Sequence, residues 1–595
     1  MTNSPFQVIQ STPSPFPKKI PHPADIIKGI SHKNIEGLNI VFINMPLRET
    51  EVPNTTPEGP LLLATNLRQN YGVTASIIDL NAYRIKDELA QRQELPSGRH
   101  KTEEESRQLI EKHFKVHGTP DVIALSGMIT TLRWQEQVCK IVRELTPQAF
   151  LISGGGLATE LKTGLFNYLP MLDAIAHSEG DDTIVKICHD VALIKKNGFQ
   201  AALNSNKLDP YYLGVIHGRH RFMYAGNRPR DLNLFPFADL ELLQEDVFGF
   251  KILEYYLGNA VWGAGTNNSS AAPFTMTRST TSVSSRGCPF DCEYCYRGAQ
   301  GEKNWGTRSV EHLSAELVFH IKKYGIDFHG YPDDNFAVDI NRIKEMVKVF
   351  TALGLNKIRW GTHTRLDEAA GVKLIKKYPD DQGHPVYENP LRVKLMADAG
   401  CIYIGFGPES ASAKVLKAIG KGGHTLLNGM TAVNVSGERH EFPLSMVDGI
   451  RNASEVGIHS NCTWIMACPT ETLEDLKKTV RFIKWQEEFY AQYGTSPDAV
   501  NKKMFTMTWY PGTKMIRHER VRKELNRVFG LDFDEKFEPV CDDKFYKYLI
   551  ELDDATKVLH GENEEPLNFS DMSTDQFLEV REYIDSNQIE KTLDM

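Results

Sequence analysis

The sequence predicts an α/β chain. A flavodoxin-like, Rossmann-type open sheet comes first, then a partial, TIM-like (β/α)6 barrel, then a helical C-terminal region. Two observations predict this. Short apolar runs alternate with helical periods over residues 38–200 and again over 281–514, the pattern of parallel sheets crossed by helices. Most of the runs end in polar or glycine-rich loops, where such sheets place their sites.

The elements follow in order. Residues 1–37 are rich in Pro and Ser and read as a flexible segment. In 38–200, "LNIVFINMP" is a buried strand of near-continuous apolar residues. "EGPLLLATNLRQNYG" is a helix with Leu62, Thr65 and Leu67 near one face and Gly72 as its stop. "VTASIIDLN", "PDVIALSGM", "QAFLISGGG" and "LDAIAHSEG" supply four more strands, making five βα units. Residues 201–280 read as a bridge. In 281–514, six strands begin at "TTSVSSRG" and continue through "IDFHGYPDDNF", "KIRWGTHTRLD", "CIYIGFGPES", "HSNCTWIMACPTET" and "KKMFTMTWYPGT". Ser309 caps the helix over Val310, Leu313, Leu317 and Ile321, and Gly325 ends it. Thr472 and Asp475 form a capping box. Residues 515–595 read as a helical cap in which Phe545 and Tyr546 pack.

Composition excludes several classes. The 595 residues are 41% hydrophobic and 24% charged, the balance of a globular protein. A net charge of -9 shows no basic excess for nucleic acid. No apolar run is long enough to span a bilayer, and the first residues lack a secretory pattern. The nine cysteines are too few for a disulfide scaffold, so a cytoplasmic protein with free thiols is expected.

Three of those cysteines, Cys288, Cys292 and Cys295, fall within eight positions. A disulfide would leave one thiol over, and a closed zinc site wants four ligands. The other six are scattered and read as small buried hydrophobes. A cubane [4Fe–4S] cluster normally takes four thiolates. Three leave one iron open to a small molecule with amine and carboxylate groups. Polar residues at the strand ends include Asp333, Asp334, Asn335, Arg365, Glu409, Ser410, Pro469, Tyr510 and Thr513.

The C-x3-C-x2-C spacing, with Tyr294 before its last cysteine, resembles the radical S-adenosylmethionine (SAM) superfamily. The resemblance implies a [4Fe–4S] cluster on Cys288, Cys292 and Cys295 that cleaves SAM to a 5'-deoxyadenosyl radical. It implies SAM contacts at Tyr294, Asp333, Asp334, Arg365, Glu409 and Ser410, although "YPDD" replaces the usual glycine-rich second-strand motif. Upstream, Met45–Pro46, Ser126–Met128 with Thr130, Gly154 to Thr159 and Ser178 to Thr183 are similar to the cobalamin-binding domain of one branch of that superfamily. Ser178 and Asp181 stand where Gly and Glu are common. This implies cobalamin contacts at Met45, Ser126, Met128, Gly154, Gly155, Gly156, Thr159 and Glu179. The D-x-H-x-x-G motif is absent, so cobalt is expected to have no histidine ligand, and His177 reads as packing.

The implied activity is methyl transfer from methylcobalamin to an unactivated carbon of a small molecule. The alternatives are ring closure or rearrangement by the same machinery, and a cobalamin sensor without catalysis. The implied electron donor is a flavodoxin or ferredoxin. Substrate candidates are Tyr296, Arg297, Trp305 and Arg365.

Overall fold

The computed structural model describes residues 26–46, 55–83, 102–205, 208, 211–226, 231–258, 276–296, 305–371, 391–493, 499–553 and 557–595. These fall into two compact units. One contains the described residues up to Gly258 together with 538–553, and the other contains the rest.

The first unit is an open sheet of seven strands: β1 (Asn39–Asn44), β2 (Thr74–Asp79), β3 (Val122–Ser126), β4 (Phe150–Gly154), β5 (Ala174–Ser178), β6 (Tyr212–Ile216) and β7 (Arg219–Gly226). Their order is β2-β1-β3-β4-β5-β7-β6. The first five are parallel in the flavodoxin order, with the switch point between β1 and β3. β1 is buried over all but its first residue, as expected for a strand covered on both faces.

The crossover from β2 to β3 is a helix, Glu103–His117, started by a Thr102–Glu105 capping box, as five βα units require. Two details differ from the expectation. The segment read as a bridge supplies the hairpin β6–β7, which extends the sheet beside β5. In the helix Glu58–Tyr71, Leu61 is buried with Thr65 and Leu67, while Leu62 is half-buried. Gly72 ends that helix at φ 63°. Helix Asp543–Ile550 belongs to this unit: Phe545 is buried, and Tyr546 donates to Glu136 at 2.6 Å.

The second unit begins with β8 (Ser279–Thr281) and the short antiparallel pair β9 (Ser285–Arg286) and β10 (Gly306–Thr307). It continues with β11 (Phe328–Tyr331), β12 (Arg359–Thr364), β13 (Cys401–Glu409), β14 (Met430–Val435), β15 (Glu438–Pro443), β16 (His459–Met466) and β17 (Met504–Thr506). Six of these form one all-parallel sheet, β17-β16-β13-β12-β11-β8. All six strands expected from the sequence are present, in chain order across the sheet, as a half-barrel. Ser309 accepts from His312 N at the start of helix Val310–Tyr324, and Gly325 closes it at φ 65°.

The antiparallel hairpin β14–β15 was not expected. Its turn residues, Ser436 at φ 51° and Gly437 at φ 86°, are both left-handed, the geometry that matches strand twist in a two-residue hairpin. Five of the six scattered cysteines are buried, as expected; Cys541 is half-buried. No helix among the described residues is long and apolar enough to cross a membrane. The Thr472–Asp475 box starts helix Leu473–Gln492 as expected. Thr472→Ala removes an acceptor for an otherwise unpaired N–H and is expected to cost about 1 kcal/mol in urea unfolding.

Candidate functional site

The thiol loop is fixed by the residues just before it. Asp333, at the end of β11, accepts from Ser284 N at 2.7 Å, Ser284 Oγ at 2.5 Å and Ser285 Oγ at 2.5 Å. Asp334 accepts from Gly287 N at 3.0 Å, one residue before Cys288. Asn335 Nδ2 lies 3.9 Å from Cys288 Sγ, and its amide is oriented by Thr364 Oγ1, which donates to Oδ1 at 2.6 Å. Arg365 Nη1 donates to Cys292 Sγ at 3.5 Å. That guanidinium is held by Asp367 at 2.9 and 2.5 Å and sits 4.2 Å from the Phe290 ring centre. Burial alone would lower the Arg365 pKa, but the Asp367 carboxylate more than reverses this, so it stays cationic.

Farther along the loop, Glu293 N donates to Ile419 O at 3.0 Å, and Glu293 O accepts from Met515 N at 3.0 Å. All nine cysteines are free thiols. Cys288 and Cys292 are half-buried and Cys295 is exposed. Among the described residues no three His, Cys, Asp or Glu side chains are gathered closely enough to hold a metal ion as they stand. The donor chemistry nonetheless fits a thiolate-bound cluster: three thiols share one loop, and an amide and a cation are aimed at two of them.

Tyr294 leads away from the thiols into a small cavity of about 170 Å³, lined also by Glu409, Ile465, Phe505, Met507 and Tyr510. Tyr294 donates to Glu409 Oε1 at 2.8 Å, and Lys421 Nζ reaches the same oxygen at 3.0 Å. Burial and the Glu409 charge push the phenol pKa well up, so Tyr294 stays a neutral donor. Glu409 is aimed by two irregularities: a register shift between Phe406 and Glu409 in the β13–β16 pairing, and a left-handed φ of 65°. Lys421, six per cent exposed, was missed by sequence reasoning. Its only signal was a lone cation between glycines, "IGKGG", after a helix.

Some expected contacts fall elsewhere. Asp333 is 2% exposed and already accepts three hydrogen bonds, so it holds the loop rather than a ligand. Ser410 is fully buried, its hydroxyl 3.2 Å from Thr479 Oγ1 and accepting from Ser412 N. Thr513 is turned into its own loop, donating to Tyr510 O. Tyr296 is half-buried beside Cys295. Trp305 is half-buried, with the Arg342 guanidinium 5.9 Å from its ring. Arg297 lies outside the described residues.

The loop after β16 carries strain. Ala467 and Thr470 are left-handed, at φ 61° and 67°. Within it Pro469 is buried and Glu471 is fully buried; Glu471 Oε2 accepts from Cys468 N at 3.2 Å, while Oε1 has no partner among the described residues. Burial pushes the Glu471 pKa up to about 8.

In the first unit, the loops after β3, β4 and β5 meet at the carboxyl edge. Gly155, at φ 85°, has no room for a side chain: a Cβ there would lie 2.8 Å from Gly127 O. Its lack of a Cβ thus serves loop-on-loop contact. Gly154 and Gly156 are less crowded. Thr159 Oγ1 accepts from Ser178 N at 3.0 Å, holding Ser178 at φ 65°. Glu179 is half-buried, and its carbonyl accepts from Thr183 Oγ1 at 2.9 Å. Met128 is 52% exposed and Ser126 half-buried. Met45 is fully buried and belongs to the core, not to a ligand surface. His177 is buried, and burial lowers its pKa to about 4. Residues 47–54 of the loop after β1 lie outside the described residues.

Residues 282–483 match the model of the Radical SAM superfamily. The chain carries a radical SAM domain. The matched span includes the thiol loop, Asp333, Arg365, Glu409 and Lys421. The chain is similar to an uncharacterized methyltransferase, PH0819, of Pyrococcus horikoshii, at 24% identity over 67% of this chain and 68% of that one. It is similar to the anaerobic magnesium-protoporphyrin IX monomethyl ester cyclase of Cereibacter sphaeroides, at 22% identity over 68% of this chain and 54% of that one. Among solved structures, the cobalamin-dependent S-adenosylmethionine radical enzyme OxsB, with aqua-cobalamin and S-adenosylmethionine bound, shares the fold with a TM-score of 0.57 at 17% identity. That likeness covers 88% of this chain and 66% of OxsB.

Two outcomes are expected. Arg365→Met leaves the buried Asp367 carboxylate without its guanidinium, with only Thr425 Oγ1, among the described residues, still donating at 3.0 Å, and should lower unfolding stability by about 3 kcal/mol, while Arg365→Met with Asp367→Leu should recover most of it. Glu471 keeps a proton when folded that the unfolded chain releases. Stability should therefore fall as pH rises from the ordinary 4.5 toward about 8, then level off. Melting temperatures across that range should fall less for Glu471→Gln than for the wild type.

Proposed function

We propose that this protein is a cobalamin-dependent radical SAM methyltransferase acting on an unactivated carbon of a small molecule. One observation carries the reading. A three-thiol loop, with Asn335 and Arg365 donating to two of its sulfurs at the edge of a parallel half-barrel, occurs in one chain with a flavodoxin-order sheet. Likeness to a methyltransferase over 67% of this chain and to OxsB over 88% of it supports the pairing of these two units with cobalamin and SAM.

In this reading Cys288, Cys292 and Cys295 hold a [4Fe–4S] cluster, which supplies one-electron reductive cleavage of SAM when bound. Glu409, with one oxygen held by Tyr294 and Lys421, presents its remaining acceptor capacity to SAM's polar groups in the cavity that it lines with Tyr294. Arg365 offsets thiolate charge at Cys292 and is itself held by Asp367. Asp334 keeps its place beside Cys288. In the first unit, Ser126, Met128, Gly154, Gly155, Gly156, Thr159 and Glu179 form the cobalamin face. Among the described residues at this edge, His177 is sealed in the sheet and is not offered to cobalt.

Ring closure is the second reading, favoured by the 22% identity to an anaerobic cyclase. Product analysis decides between the two. The protein is loaded anaerobically with iron, sulfide and cobalamin, reduced, and its SAM products identified by mass spectrometry. The proposal expects S-adenosylhomocysteine together with 5'-deoxyadenosine, both lost in Cys288→Ala. 5'-Deoxyadenosine alone, during turnover of a substrate, would favour ring closure.

A further inference from the structure

Glu160 lies on the short helix Gly156–Leu161, directly after the glycine loop of β4. It is 7% exposed, and its carboxyl makes no hydrogen bond among the described residues; Oε2 is sealed from solvent and unpartnered. Oε1 lies 3.8 Å from where a Cβ on Gly156 would sit, beside Met128 Cα and Gly127 O at 3.5 and 4.0 Å from the same point. The carboxyl therefore sits where the loops after β3 and β4 meet, at the carboxyl edge of the sheet. Burial pushes its pKa well above the carboxylate range, so it is a neutral acid with one O–H donor and a free acceptor.

A buried acid left without partners costs stability, by about 1–3 kcal/mol for an unsatisfied polar group. Among the described residues nothing around Glu160 recovers that cost: the neighbouring Thr159 hydroxyl is spent on Ser178 N, and the Gly127 carbonyl on Leu157 N. A group that is unsatisfied in the free protein and placed at a ligand edge is satisfied by the ligand. A primary amide pairs with a neutral carboxylic acid at two points. The acid's O–H meets the amide carbonyl while the amide N–H meets the acid's carbonyl, two bonds in one plane. The rim of a corrin ring is lined with primary amides.

We propose that the Glu160 carboxyl binds cobalamin, pairing at two points with one primary amide of the corrin rim. This rests on the cofactor reading above and adds to it a residue that no glycine or loop signature marks. It makes Glu160 a specificity determinant: it favours amide-bearing corrinoids over those whose side chains are free acids, which offer no N–H and carry charge into a buried site.

The test uses the full-length protein and hydroxocobalamin, read by absorbance titration and by melting temperature with and without ligand. Glu160→Leu should bind about tenfold more weakly, the loss of two neutral hydrogen bonds. Glu160→Gln, which still offers a donor and an acceptor, should stay within about threefold of the wild type. The melting temperature separates this from a structural role: without ligand, Glu160→Leu should melt higher than the wild type, because a buried unpaired group is gone. Wild-type binding that Glu160→Leu retains within about threefold would overturn this assignment alone. A lower melting temperature for free Glu160→Leu would overturn it too, by showing that the acid has a structural partner. Absence of cobalamin binding by the wild type would overturn the cofactor reading, and this with it.

Discussion

The carboxylate of Asp333 is the constraint on which the thiol site depends. It ends β11 and reaches across to the chain leaving β8, where three donors from Ser284 and Ser285 close on its two oxygens. A buried carboxylate without such donors would cost several kcal/mol, so the contact is all-or-none and fixes the register of one segment on the other. Everything after it follows in order: Asp334 takes Gly287 N, Asn335 meets Cys288, and Arg365 from the next strand meets Cys292. Three consecutive residues after one strand thus set the path of the loop that carries the thiols.

Four of the ten non-glycine residues with left-handed φ among the described residues lie at the carboxyl edges of the two sheets. Glu409, Ala467 and Thr470 in the half-barrel, and Ser178 in the open sheet, are non-glycine residues with left-handed φ, and all lie at carboxyl ends of strands. Each such residue costs on the order of 1–3 kcal/mol and persists only where surrounding bonds over-determine it. Those bonds are visible: Ser178 N is held by Thr159, and Glu409 by Tyr294 and Lys421. The regular parts of both sheets provide the stability against which these few residues are held out of their preferred conformations.

Much of this was legible in the sequence. Six barrel strands and five open-sheet strands were marked by apolar runs with glycine or polar ends, because parallel strands buried on both faces leave a strong periodic trace. The thiol triplet was legible because its ligands are local in sequence. What was missed depends on distant residues. Lys421 gains its role only through Glu409 and Tyr294, and Tyr294 is 127 residues away from it. β6 was hidden because its half-exposed residues lack the apolar run of the core strands, and β7, buried over its last six residues, because its short run Phe222–Ala225 follows three basic residues in a segment read as a bridge. The Ser436–Gly437 turn was an available hairpin signal, placed where only barrel crossovers were sought.

Polar residues at strand ends look alike in a sequence, and the number of donors each acquires separates their tasks. Asp333 has three donors on two buried oxygens and nothing left to offer. Asp334 gives one oxygen to Gly287 N. Glu409 shares one oxygen between a phenol and an ammonium while its side chain lines a cavity. Glu471 accepts only from the backbone of its own loop and keeps a proton. A saturated, sealed carboxylate builds the fold. One whose charge is balanced but whose remaining lone pairs face open volume can take a ligand without first breaking a structural bond. By that measure the fourth strand of the half-barrel, not the second, holds the carboxylate best placed to bind, and the second strand's acids serve the loop that brings the thiols to it.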